Sequence, residues 1–121
     1  DSRGLRERGA RLVHNFFRQH PHAKSVLIAA HNDTVALGAL QALRDLKKEK
    51  VAVIVGHDCI PEALSELEVS KSAFIGSVAN PTEPYGVKII TLALAMLGGQ
   101  AVAPYNFTEF KVVSGAALNA K

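Results

Sequence analysis

Cysteine occurs once in the 121 residues, at Cys59, so no internal disulfide can form and the redox compartment stays open. No apolar run approaches the roughly 20 residues that a membrane-spanning helix needs. The longest, Val87 to Leu97, is interrupted by Lys88 and Thr91 and reads as a core helix. A glycine-rich phosphate loop is missing, because Gly98-Gly99 follows an expected helix rather than opening one. The short paired spacings of zinc sites and the interleaved basic and aromatic residues of nucleic-acid readers are missing too. These gaps argue against a bilayer-spanning helix, a phosphate-loop enzyme, a zinc module and a nucleic-acid reader.

What is present is apolar. Hydrophobic residues make up 48% of the chain, enough for one domain with a real core, and 1–121 is read as that domain. The sequence begins at Asp1 rather than Met, which leads us to expect a piece of something longer. The net charge of +3 is modest, with arginines at 3, 6, 8, 11 and 18 and lysines at 47, 48 and 50. We read both clusters as solvated surface.

The organising stretch is Val26 to Gly38, VLIAAHNDTVALG, in which an apolar run gives way abruptly to His31-Asn32-Asp33 and then to an amphipathic helix. A Val/Ile/Leu run without polar alternation predicts a strand buried on both faces, as in parallel sheets covered by helices. Similar runs start near Val51 and Ala73, a little over twenty residues apart with one helix between each, which is the length of a βα unit. The expected fold is therefore α/β, three-layered, with a mostly parallel sheet. Before the first strand, Leu5, Leu12, Val13, Phe16 and Phe17 predict one apolar helix face, ended by His20-Pro21. Asn32 and Asp33 are N-cap types for the next helix, and Gly38 in its second turn predicts close approach to the sheet. Arg44 to Lys50 reads as a solvated turn, Pro61 to about Val69 as a short helix, Tyr85 to Leu97 as a long one, and Phe107 to Val113 as a last strand. Phe16, Phe17, Phe74 and Phe107 are expected in the core.

Asn32, Asp58 and Asn80 each follow one of the three expected strands. Ligands of open α/β sheets bind beyond the carboxyl ends of the strands, so these three are the candidate ligand-binding residues. A carboxylate accepts hydrogen bonds and a carboxamide both donates and accepts, which suits a neutral ligand with many hydroxyls. Each residue is equally a cap for the helix that follows. Residues of the same segments suggest two other chemistries. His31, Asp33, His57, Asp58 and Cys59 are metal-ligand types but lack a ligand spacing, so no metal and no cofactor are expected. Gly-His-Asp-Cys-Ile lacks the glycine that completes a nucleophile elbow, and no enzyme activity is expected.

The segments AAHNDTVALGALQALRDL, VAVIVGHDCIPEALSEL and FIGSVANPTEPYGVKIITLALAMLGGQAV resemble the second lobe of the type I periplasmic sugar-binding proteins, whose fold the effector domains of the lactose-repressor family share. The resemblance implies a truncated lobe of that fold, with the family's opening strand, helix and strand preceding Asp1. It implies sugar contacts from the Asn of an Asn-Asp pair, the Asp of a Gly-x-Asp, and a polar side chain six residues before a helix-opening glycine. Those positions hold Asn32, Asp58 and Asn80 here. Asn80 stands where ribose-binding members carry glutamine, and His31, His57 and Cys59 are further departures.

By the same resemblance, 104–113 is the crossover toward the missing first lobe. Expected partners are a small sugar, that lobe, the membrane permease of an ABC-type importer and, as a further candidate, a second copy of the chain. The alternative is a cytoplasmic regulator that meets DNA through a headpiece outside this chain. Lys47-Lys48-Glu49-Lys50 lacks the Val-Pro-x-Asp-Ile-Ser-type turn usual in regulators, which favours transport and a periplasmic location.

Overall fold

Helices and strands alternate along the chain: α1 (Arg6–Gln19), β1 (Val26–Ala29), α2 (Asp33–Asp45), a 3-10 turn at Glu49–Val51, β2 (Ala52–His57), α3 (Pro61–Leu67), β3 (Phe74–Ala79), α4 (Glu83–Leu97) and β4 (Lys111–Ser114). The computed structural model describes residues 1–80 and 82–115, the side chain of residue 83 excepted; residue 81 of the expected Asn80–Pro84 turn lies outside them. The four strands form one sheet in the order β1-β2-β3-β4. The β1–β2 and β2–β3 pairs are parallel, with Ala29 opposite Val55 and His57 opposite Val78, so the α/β, mostly parallel reading holds.

Two compact units divide the chain: Asp1–Ala79 with the described residues from Val112 onward, and Asn80–Lys111. In the first, α2 is the centre of the core. Val35, Ala36, Ala39, Leu40 and Leu43 are buried as its periodicity predicts, joined by Ala52 and Ile54 of β2, Ala63 and Leu67 of α3, and Phe74 of β3. Gly38 marks a close approach, but to α1 rather than to the sheet. A Cβ there would lie 2.0 Å from the Arg6 carbonyl oxygen, and one at Gly9 would lie 2.5 Å from that of Val35. The two glycines let the α1 and α2 backbones nearly touch, which a strand would not have required.

The first unit departs from three further expectations. The apolar face of α1 is split: Val13 and Phe17 are buried, whereas Leu5, Leu12 and Phe16 are exposed, because the stripe that meets α2 is Gly9, Val13, Phe17 at a spacing of four. The strands of the first unit are not buried on both faces. Ala52 and Ile54 point into the core while Leu27 (70% exposed), Val53 and Ile75 lie open. Strands that follow one another in one direction across a sheet place their right-handed crossover helices on one side, and the crossover helices α2 and α3 both contribute to this core, beside Val13 and Phe17 of α1. Arg44 to Lys50 is not simply a turn, since α2 runs to Asp45 and a 3-10 turn begins at Glu49.

Within the second unit, Tyr85 Oη lies 3.3 Å from Thr108 Oγ1, Lys88 Nζ donates to the Phe107 carbonyl, and the Tyr105 and Phe107 rings stack 6.2 Å apart. The helix expected as a core element has no buried side chain among its described residues, and Phe107 is 83% exposed rather than in the core. A unit of 80–111 has too little chain to enclose a helix this apolar.

Candidate functional site

Asn32 ends the β1–α2 connection as the N-cap of α2. Its backbone is extended, and its side-chain Oδ1 accepts from the Val35 N–H at 2.9 Å. Ile60 and Thr82 are the N-caps of α3 and α4, so the cap reading fails for Asp58 and Asn80. It is correct for Asn32, where it commits only one end of the amide. The Nδ2 group stays beside Gly4, 3.4 Å from where a Cβ on that glycine would stand. Asn32 can meet a ligand as a donor.

Asp58 stands three residues past Val55, as Asn32 stands three past Ala29, and Val55 and Ala29 are register partners. The Ala30 N–H, donating to Val55 O at 2.9 Å, carries the pairing one step further. Parallel strands lie about 4.8 Å apart, so Asn32 and Asp58 come together at one rim, the carboxyl end of β1 and β2. Asp58 has φ +105° and Cys59 φ +54°, two successive residues in the region that favours glycine. Asp58 N–H donates to Val78 O at 2.8 Å. Its Oδ1 lies 2.9 Å from His57 Nδ1, and nearly half of its side chain faces solvent. Asn80 is the first residue after β3 and opens the second unit.

Under this rim is a carboxylate that the residue pattern alone presented only as a cap or a metal ligand. Asp33 is fully buried, with Oδ1 accepting from Ser77 Oγ at 2.7 Å and Oδ2 from the Ile60 N–H at 3.0 Å. Ser77 Oγ in turn accepts from the Cys59 N–H at 3.2 Å. Gly56 makes room, since a Cβ there would lie 2.1 Å from Asp33 Oδ1. The available signal was a glycine late in an apolar strand facing an Asp just inside a helix start. Among the described residues no group of three His, Cys, Asp or Glu side chains is arranged to hold a metal.

The rim offers a donor from Asn32 and an acceptor from Asp58, both past the carboxyl ends of neighbouring strands. It is not a closed cavity. A cavity of about 220 Å³, lined by Lys24, Val26, Lys50 and Val53 among others, lies at the opposite, amino ends of β1 and β2.

No protein-family model matches the sequence. The ribose import binding protein RbsB of Salmonella typhimurium is 31% identical over 108 residues, which are 89% of this chain and 35% of the relative. The D-allose-binding periplasmic protein of Escherichia coli is 30% identical over 100 residues, 82% of this chain and 31% of that protein. The chain thus spans about a third of the length of the curated relatives it matches. Among solved structures, GanP, a glucose-galactose binding protein from Geobacillus stearothermophilus, superposes with a TM-score of 0.85 at 21% identity, over 98% of this chain and 41% of its own. An ABC transporter solute-binding protein from Agrobacterium vitis with bound allitol gives 0.82 at 21% identity, over 94% and 39%.

Proposed function

The chain carries the sequence and fold of one lobe of the type I periplasmic sugar-binding proteins, and from that premise we propose that it serves to bind a small sugar or related polyol as part of the solute receptor of an ABC-type importer, outside the cytoplasm. The observation that carries the reading is the Asn32–Asp58 rim. A sugar hydroxyl is both donor and acceptor, so one hydroxyl can accept from Asn32 Nδ2 while another donates to the Asp58 carboxylate. Asn80 is the third contact in this proposal. Relatives named for ribose import and for allose binding in the periplasm support D-ribose and D-allose as first ligands, and support transport over the regulator.

A second lobe and a membrane permease complete the proposed receptor, and 104–113 serves as a crossover toward that lobe. The apolar surface of α4, with Val87, Ile89, Ile90, Leu94 and Leu97 all exposed, supports a further body of the same protein as its cover. One lobe alone provides part of the contacts and cannot close over its ligand. The expected affinity of this chain is therefore weak, roughly millimolar, or about 4 kcal/mol of binding free energy. Titrating D-ribose and D-allose into the ¹⁵N-labelled chain tests it. Saturable shifts of the Asn32 and Asp58 amides are expected; micromolar binding, or shifts confined to other residues, would move the site.

A further inference from the structure

We infer that the buried Asp33 carboxylate is a positioning residue for Asp58: through Ser77 and the Ile60 amide it holds the turn that presents Asp58 at the rim. A carboxylate taken wholly out of water is costly unless its oxygens are bonded, and Asp33 bonds to one hydroxyl from β3 and one backbone N–H from the turn after β2. An acidic residue that only favoured the dipole of α2 would do so while exposed. The turn, for its part, needs holding. Left-handed backbone at two successive non-glycine residues persists only where the surroundings over-determine it.

Here they do so at three consecutive amides. Asp58 N–H goes to Val78 O, Cys59 N–H to Ser77 Oγ, and Ile60 N–H to Asp33 Oδ2. Two of the three bonds run through the Asp33–Ser77 pair. Because Asp33 directly follows Asn32, one buried group fixes the spacing between a donor on the first strand end and an acceptor on the second. Gly56 is what lets the carboxylate settle onto β2. The consequence for binding rests on the sugar-site reading above; the bracing itself does not.

The experiment uses the ¹⁵N-labelled chain with Ser77→Ala, Ser77→Thr and Asp33→Asn. Amide exchange at Cys59 and Ile60 is measured against Ile54, whose N–H is bonded to Ala73 O within the core, and the amide–Hα coupling of Asp58 reports its φ. Ser77→Ala is expected to speed exchange at Cys59 and Ile60 by roughly tenfold relative to Ile54 and to move the Asp58 coupling toward an averaged value. Ser77→Thr, which keeps the hydroxyl, is expected to restore both. Asp33→Asn should act most strongly on Ile60, and if it does not fold, the Ser77 pair decides. Unchanged relative exchange and coupling in Ser77→Ala would overturn the inference, since loss of global stability alone moves all three amides together. With D-ribose as probe, Ser77→Ala should weaken the Asp58 shifts more than Ser77→Thr does. A two-lobed protein that shows no sugar-induced shift overturns the sugar reading and leaves the exchange result to decide the brace.

Discussion

Asn32 divides its work between the two ends of one amide, and substitution can separate them. Asn32→Ala removes the cap acceptor and should cost about 1 kcal/mol of stability, read as a lowered urea midpoint. Asn32→Asp keeps an acceptor for the Val35 N–H and should leave the midpoint nearly unchanged while removing the donor, so that D-ribose binding weakens. Asp58→Ala removes hydrogen bonds to a charged group, worth about 1.5 to 3 kcal/mol. At about 1.4 kcal/mol per decade, sugar affinity measured by calorimetry on the two-lobed protein should fall about 10- to 100-fold. Both residues were legible because an Asn or Asp at the end of an apolar run is visible in the letters. The role of Asp33 was not. Its partners are a serine 44 positions away and a backbone amide that no letter encodes.

Among the elements, the α1–α2 contact is the least forgiving. Gly38→Ala forces a methyl group against the Arg6 carbonyl and should cost about 1 to 3 kcal/mol as overpacking, visible as a lower melting temperature without change at the rim. The same Arg6 reaches Glu62 of α3 through two hydrogen bonds, one of 2.8 Å. That hydrogen bond holds the Glu62 carboxyl below its usual 4.5. A lowered carboxyl contributes its stability in full above the unfolded value and loses it as pH falls through the folded one. With both side chains about half exposed, the contribution is a few tenths of a kcal/mol. Glu62→Gln should therefore lower the urea midpoint slightly at neutral pH, and by progressively less as pH falls below the usual carboxyl range. Element types and order could be read from periodicity, and the boundaries moved by a few residues. The sidedness of α1 could not be read, because Gly9 makes it a packing residue and hydrophobicity gives a glycine no weight.

At the scale of the whole molecule, the first unit has a one-sided core. Ile54→Ala, a deletion in its fully buried layer, should cost about 2 to 5 kcal/mol, whereas Leu27→Ser on the open sheet face should stay within about 0.5 kcal/mol; paired denaturation curves compare the two. An apolar run predicts a strand but says nothing about how many of its faces find partners, and for that reason the two-face expectation failed. The division at Ala79/Asn80 was equally hidden, because FIGSVAN reads as one strand and its turn. The bond from Ser77 to Asp33 also has a consequence in time. It closes a loop of 44 positions, so it can form only after β3 has docked, and the turn at Asp58 becomes native late on the folding route. Ser77→Ala should then hasten unfolding in stopped-flow mixing and leave the refolding rate untouched, the pattern of a contact absent from the transition state.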